Sequence, residues 1–490
     1  MTPNILIVMT DQEQAAVCAP EHPCRTPNAD RLSRGGVRFS ETYTPTAHCC
    51  PSRATFFSGL YPSRHGVYNN VSNPQAIHRG LNPGVVTFGE GLRDAGYNIA
   101  FSGKWHVSDL EGPADRGWRE LRVTGGKGSY SERDLDLWRG RADELHAQEQ
   151  RPRGRGQVKR PGWGDYQLYG TAPSKPGEPY GGNRDYLVID AAIQALPGLA
   201  AAGQPWCLYV GPHGPHDPFI IPEHYASMYD PADVPLPASY SDTLEDKPRV
   251  YARMRNQYWG QLSEDEVRES IAHYWGYCTM MDDMLGEVLD ALDRTGQADN
   301  TLVLFMSDHG EYGGAHGLYL KGVPAFREGY NVPAIVRWPA GIVNPGRVVD
   351  AYVTLADFAP TFLDLAQAPI PAGTHGKSLA PFLRDEQPAD WREALYSQMN
   401  GVELYYTQRA VTTKPFKYVY NGFDLDELYD LTADPHEMVN RADDPTLAEV
   451  KRGLVRRMWQ LAEQYQDTIF TPYATTALAP FGPGVAFDAG

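Results

Sequence analysis

The chain has 490 residues, a formal charge of −17 and 42% hydrophobic residues, which suits an ordinary globular protein with one large domain and a smaller one. Its acidity argues against non-specific binding to nucleic acid or anionic membranes, while a locally basic pocket remains open to a small anionic substrate. No stretch reaches the roughly 18 apolar residues of a membrane span, so neither a nucleic acid nor a membrane is an expected partner.

The N-terminal stretch "MTPNILIVMTDQ" lacks a basic n-region, and its apolar run ends at Asp11, too soon for a signal peptide; a cytoplasmic protein is expected. That run, Asn4 to Gln12, is the first of four with one shape. Asn98 to His106, Trp206 to Pro218 and Thr301 to Gly310 are the others. Each is a short run of Val, Ile, Leu and aromatic residues ending in polar or ionisable ones, as in strands buried on both faces of a sheet. Helical patterns separate them. "TPNADRLSRGG" and "VVTFGEGLRDAG" read as short helices stopped by glycine, and Ser263 to Gly296 opens with a capping box of Ser263 and Glu266. The alternation gives an α/β fold with a large, mostly parallel sheet between helices.

From Arg119 to Arg184 the chain turns polar, glycine-rich and basic, which reads as an ordered insertion or lid over the strand ends. Such charge runs are ordinarily just solvated. This one opposes the sign of the whole protein, which gives it a second reading as an attractor of anionic substrate. Near Pro381 to Asp390 the composition shifts again. "EALYSQMN", "ELYYTQRAVTT" and "FKYVYNG" read as strands of a small antiparallel sheet, and "TLAEVKRGLVRRMWQLAEQYQD" as an amphipathic helix. The expected division is therefore 1–384, a catalytic α/β domain, and 385–490, a smaller C-terminal subdomain. The last residues, rich in aromatics, Pro and Gly, are expected to be extended along their own chain or a neighbouring subunit of a homo-oligomer.

Ligands of open parallel sheets bind beyond the carboxyl ends of the strands. Asp11, Gln12, Lys104, His106, His213, His216, Asp308 and His309 all fall there. Singly, each reads as a helix cap or a satisfied histidine. Four strand ends carrying the same residue types point to one site. The six cysteines, Cys18, Cys24, Cys49, Cys50, Cys207 and Cys278, have neither the spacing of a disulfide framework nor paired CxxC spacing for zinc, so most should be free and buried.

Cys49-Cys50-Pro51-Ser52-Arg53 resembles the C-x-P-S-R signature of the type I sulfatases. "PNILIVMTDQ", "SGLYPSRHGV", "SGKWH", "GPHGPHDPF", "DNTLVLFMSDHGE", "LYLKGVPAFREGYNVPAIVRWP" and "ELYDLTADPHEMVN" follow in the order and approximate spacing seen in that family, so the resemblance covers almost the whole chain. It implies the alkaline-phosphatase-like fold with a four-stranded C-terminal sheet, and conversion of Cys49 to formylglycine by a formylglycine-generating maturation enzyme, Cys50 filling the variable position. It further implies a divalent cation held by Asp11, Gln12, Asp308, His309 and the modified Cys49. Gln12 and His309 stand where many sulfatases carry Asp and Asn, and the mixed O and N set leaves Ca²⁺ and Mn²⁺ both open.

By the same resemblance, a hydroxyl of the hydrated aldehyde attacks the sulfur of a small anionic sulfate ester and forms a covalent sulfo-enzyme. His106 is then the base that releases sulfate, Lys104 and Lys321 hold the sulfuryl oxygens, and Arg53 orients the diol. His216 is the acid that protonates the leaving alcohol, with His213 second. Asn69 and Asn70 read as a turn or as substrate contacts, and His316 as a loop residue near Lys321. The Asp-Gln opening also resembles phosphonate monoester and phosphodiester hydrolases of the superfamily, but "GKWH" matches sulfatases, where those hydrolases carry Tyr and Thr. Choline sulfatase shares the Asp-Gln opening and a "PHDP" element. Choline, aryl and sugar sulfates are all candidate substrates, the basic insertion favouring the sugar.

Overall fold

The computed structural model describes residues 2–128, 135–173, 180, 182–402, 405–469 and 478–487. Its main sheet has eight strands, which we number along the chain: β1 Asn4–Thr10, β2 Gly36–Phe39, β3 Asn98–Lys104, β4 Arg119–Thr124, β5 Trp206–Gly211, β6 Thr301–Ser307, β7 Ala334–Arg337 and β8 Arg347–Val349. They lie in the order β8-β2-β7-β6-β1-β5-β3-β4. Strands β6, β1, β5, β3 and β4 are mutually parallel, whereas β7 runs antiparallel to both β6 and β2. The four apolar runs of the sequence are β1, β3, β5 and β6. They are the buried centre of the sheet, and that is why they read clearly.

Alternate residues of β1 feed opposite layers, as a period of two requires. Leu6 and Val8 pack with helices α1 (Pro27–Arg34), α4 (Arg184–Ala201) and α5 (Glu264–Arg294). Ile5, Ile7 and Met9 pack with α2 (Cys49–Ser58), α3 (Phe88–Asp94) and α6 (Phe358–Leu365). Helix α5 starts at the expected box, in which the Ser263 hydroxyl accepts from Glu266 N at 3.3 Å and Glu266 accepts from Ser263 N at 3.0 Å. It ends before Gly296, whose φ of 71° is the left-handed stop.

One boundary of the sequence reading moves. Arg119–Thr124, placed in the insertion, is the edge strand β4, paired with β3. Its Arg and Glu side chains are the charged residues that protect a sheet edge, and they hide its strand character. The insertion proper follows it. It is ordered over its described residues and docks on α5, where Arg153 donates to Glu266 at 2.7 and 2.6 Å and Arg155 to Glu269 at 2.8 Å. Two of its positive charges are thereby spent on the protein's own acids.

Leu395–Gly401, Tyr405–Thr412, Phe416–Asn421 and Glu427–Asp430 (β9 to β12) form an antiparallel four-stranded sheet in sequence order, with α7 (Ala448–Gln464) packed on it. Of the tail, residues 478–487 lie on α7, where Phe481 O accepts from Trp459 Nε1 at 3.0 Å; the rest of that expectation falls outside the described residues. All six cysteines are free and buried. Among the described residues, no helix is long and apolar enough to cross a membrane.

Candidate active site

The register of the sheet builds the centre of the site. Strands β1 and β6 pair from Asn4 with Thr301 to Thr10 with Ser307, so the next residues, Asp11 and Asp308, emerge side by side. Both are fully buried. Lys104 ends β3 two strands away, and its ammonium reaches Asp11 Oδ2 at 2.5 Å. Gln12 and His106, each just past a strand end, have positive φ of 72° and 51°, so the chain reverses direction there at the cost of local strain.

Helix α2 brings Cys49 to these strand ends from the other side. Cys49 is its first residue, so the positive end of the helix dipole faces the carboxylates. Pro51 falls in the first turn, where its missing N–H breaks no helical bond. Arg53 follows Cys49 by four residues, which places both on one helix face. Its guanidinium spans the site: Nε donates to Asp308 Oδ2 at 2.7 Å, one terminal nitrogen to Asp11 Oδ2 at 3.1 Å, and the other to Tyr209 Oη at 2.8 Å and Lys104 O at 3.0 Å. Ser52, on the next position of the same turn, donates to Asp308 O. The spacing of the motif is thus a spacing on one helical turn.

Cys49 Sγ lies 3.1 Å from His309 Nε2 and 3.8 Å from Asp11 Oδ1. Burial alone would raise the Asp11 pKa, but Lys104, with help from His216, Arg53 and His309, holds it well below the ordinary range. Burial lowers the His309 pKa, so the ring is neutral, and Nδ1 lies 2.9 Å from Gly310 O. A proton on Nδ1 leaves the Nε2 lone pair turned to the cluster. One ligand atom from each of Asp11, Cys49, Asp308 and His309 falls within 4.8 Å of the others. Two carboxylates and a neutral imidazole, all buried, are a donor set that fits a divalent cation. Gln12 stands beside it: its backbone N–H donates to Asp308 Oδ1 at 3.3 Å, while its side-chain amide donates to Glu311 and accepts from Lys321.

A second group of side chains faces the first. Lys321 Nζ is 2.7 Å from His216 Nε2, and His216 Nδ1 is 2.7 Å from Asp217 O. His106 is half-buried; burial, then Lys104 and Arg53, push its pKa well below the ordinary value. Its Nδ1 has no hydrogen-bond partner. His213 is exposed, 5.4 Å ring to ring from His216, with its pKa lowered to about 3, chiefly by Lys104. Asn69 is a turn residue, since its side chain bonds Gln75 O at 2.9 Å, Val402 O at 3.3 Å and Ile77 N at 3.0 Å. The Asn70 side-chain oxygen is buried without a partner. His316 is a buried loop residue, bonded to Asp242 at 2.6 Å and stacked on Phe326.

Four residues of the site escape the sequence reading. His48 caps α2, is buried, and has an unpartnered Nδ1. Tyr209, Asp217 and Glu311 each bond a site residue. Tyr209 and His48 carry no local signal, but Asp217 and Glu311 lie within two residues of named histidines and were legible as strand-end acids.

Comparison with known proteins gives the family. Residues 3–368 match the Sulfatase family model, and residues 314–464 match the model of the N-sulphoglucosamine sulphohydrolase C-terminal region. The chain is 28% identical to a choline-sulfatase of Rhizobium meliloti, over 90% of this chain and 83% of that protein. It is 26% identical to an N-acetylglucosamine-6-O-sulfatase of Bacteroides thetaiotaomicron, over 95% and 87%. Among solved structures, a phosphonate monoester hydrolase of Agrobacterium radiobacter superposes with a TM-score of 0.75 at 25% identity, covering 94% of this chain and 96% of that one. With three quarters of its length matched and its signature residues gathered around one buried cluster, the chain belongs to the sulfatase family of the alkaline phosphatase superfamily and is a sulfuric ester hydrolase.

Proposed function

We propose that the protein hydrolyses the sulfate ester of a small or carbohydrate alcohol, with Cys49 matured to formylglycine and one divalent cation held by Asp11, Asp308, His309 and residue 49, with Gln12 alongside. The observation that carries this reading is the meeting of Cys49, at the N-terminus of α2, with Asp11, Asp308 and His309 inside 4.8 Å. When bound, the cation supplies Lewis-acid polarisation of the sulfuryl group, and the hydrated aldehyde supplies the nucleophilic oxygen.

The remaining roles belong to ordinary side chains. Lys104, paired with Asp11, and Lys321, bonded to Gln12, stand beside the cluster and absorb the charge that grows on the non-bridging oxygens. Arg53 helps Lys104 hold Asp11 ionised and fixes the directions of both carboxylates. His106 stays neutral beside two cations, the state a base needs before it takes a proton. His216 Nε2, beside Lys321, is placed to give a proton to the departing alcohol. The phosphonate monoester hydrolase is a relative with the same fold, and phosphate and sulfate esters are nearly isosteric, so activity on phosphonate monoesters is the second reading.

One experiment tests both readings. Protein co-expressed with a maturation enzyme is assayed on aryl sulfate, choline sulfate, sulfated sugars and phosphonate monoesters, and the peptide spanning Cys49 is weighed. The expected result is a sulfur-for-oxygen exchange with loss of two hydrogens, sulfate esters turned over fastest, and no turnover by Cys49→Ala. Substantial activity in Cys49→Ala refutes the nucleophile, and a preference for phosphonates selects the second reading.

A further inference from the structure

The insertion has a polar contact with the site. Tyr166, in a two-residue strand paired with Gln157–Val158, donates its hydroxyl to Asp217 Oδ2 at 2.5 Å. The segment is pinned where it delivers that hydroxyl, by the Arg153 and Arg155 bridges to α5, by Lys159 on Asp165 at 3.0 Å, and by the Arg160 guanidinium 5.2 Å above the Tyr166 ring. The other oxygen of Asp217 faces His216 Nδ1 at 3.2 Å and Lys321 Nζ at 3.6 Å.

We propose that Asp217, held in orientation by Tyr166, is the positioning residue of the general acid, an inference that rests on the reading of His216 as that acid. Nδ1 of His216 is bonded to the Asp217 carbonyl at 2.7 Å, with the carboxylate 3.2 Å away, so Nε2, beside Lys321 Nζ at 2.7 Å, is the ring atom turned to the ester oxygen. The carboxylate, 3.2 Å from Nδ1 and itself held by Tyr166, fixes the direction of the ring that carries the proton. As the S–O bond breaks, its electron pair goes to the leaving oxygen, which takes the proton from Nε2. The ring is left neutral with its remaining proton on Nδ1, and water reprotonates Nε2. Lys321, 2.7 Å from the same nitrogen, carries its positive charge to the same point. The insertion is on this view a strap that sets one hydroxyl against the acid.

The test is a series of sulfate esters of rising leaving-group basicity, run on the matured enzyme. An activated nitrophenyl ester leaves without a proton, whereas an alkyl or sugar ester needs one. For Asp217→Asn, kcat/KM should fall roughly 10–100-fold on the poor leaving groups and only about twofold on the nitrophenyl ester, with Tyr166→Phe moving the same way by less. A loss that is uniform across the series in both variants overturns the proposal. His216→Ala separates the two readings. If its loss too is uniform, the general acid is misassigned; if it steepens with leaving-group basicity while Asp217→Asn and Tyr166→Phe stay flat, only the positioning role fails. Ring ¹⁵N shifts of His216 give a readout independent of turnover: they should move in Asp217→Asn, and unchanged shifts count against the carboxylate contact.

Discussion

Arg53 is buried with no exposed surface, and each of its four donated bonds ends on a group of the site. Arg53→Met would leave Asp11 and Asp308, both fully buried, with one cation fewer, and removal of one partner of a buried ion pair costs about 3–5 kcal/mol. The thermal midpoint should fall accordingly, and added divalent cation should recover more of the loss than it adds to the parent, because the ion replaces the missing charge. Arg53→Lys keeps the charge but cannot fork between two carboxylates, so it should recover stability only in part. At His106 the expectation is kinetic: His106→Ala should release one burst of alcohol and then stop, whereas unchanged steady turnover removes it from the reaction. Cys49, Arg53, Asp11, Asp308 and His309 were legible because each lies in a short motif at a strand end or on one helical turn. Tyr166 was not, since nothing near it in sequence announces that 51 residues later Asp217 will lie under its hydroxyl.

Elements were legible in proportion to how fully they are buried. The strands β1, β3, β5 and β6 are continuous apolar runs, and α5 announces its start with a capping box. The short strands β2, β7 and β8 carry three or four residues each, below the length at which a pattern of two can be told from chance. Their order in the sheet depends on β2, which pairs with β7 and β8 across hundreds of residues of sequence. Helix α2 has its own signature in a histidine. His65 accepts from Val67 N at 3.1 Å through Nδ1 and lies 3.1 Å from Thr55 Oγ1 through Nε2, and Thr55 in turn donates to Pro51 O at 2.9 Å. Burial, with a smaller push from His375, lowers its pKa to about 3. The unfolded chain takes up this proton near pH 6.5 and the folded chain does not. Its contribution is therefore complete above about pH 6.5 and lost as pH falls toward 3, at up to about 1.4 kcal/mol per pH unit. His65→Gln should be less stable at pH 7.5 yet lose less on acidification, which urea midpoints from pH 7.5 to 4.5 would show as a shallower slope than the parent's; an identical slope sinks the assignment.

At the scale of the molecule, the C-terminal sheet is joined to α2, the helix that carries Cys49, at both ends. Before α2, Thr46 Oγ1 donates to Gln398 O at 2.5 Å and Gln398 N to Pro45 O at 2.8 Å. After it, Ser63 N donates to Gln398 Oε1 at 3.0 Å, and Tyr61 stacks on Tyr465 with centroids 4.3 Å apart. Gln398 is in turn held by Asp467 at 3.0 Å, which is paired with the buried Arg409 at 2.6 Å. A chain ending at residue 384 would expose Tyr61 and free the segment that carries Cys49, so we expect it not to accumulate as folded, soluble protein even though the whole eight-stranded sheet lies within it. The milder variant is Asp467→Ala in the full chain, which leaves Arg409 charged and unpaired in the C-terminal core at a cost of about 3–5 kcal/mol. If the two regions fold as one unit, calorimetry should show a single transition shifted down as a whole, with activity lost at the same temperature. Two separated transitions, the lower one leaving turnover intact, would instead mean that residues 385–490 fold alone and that the clamp on α2 is dispensable.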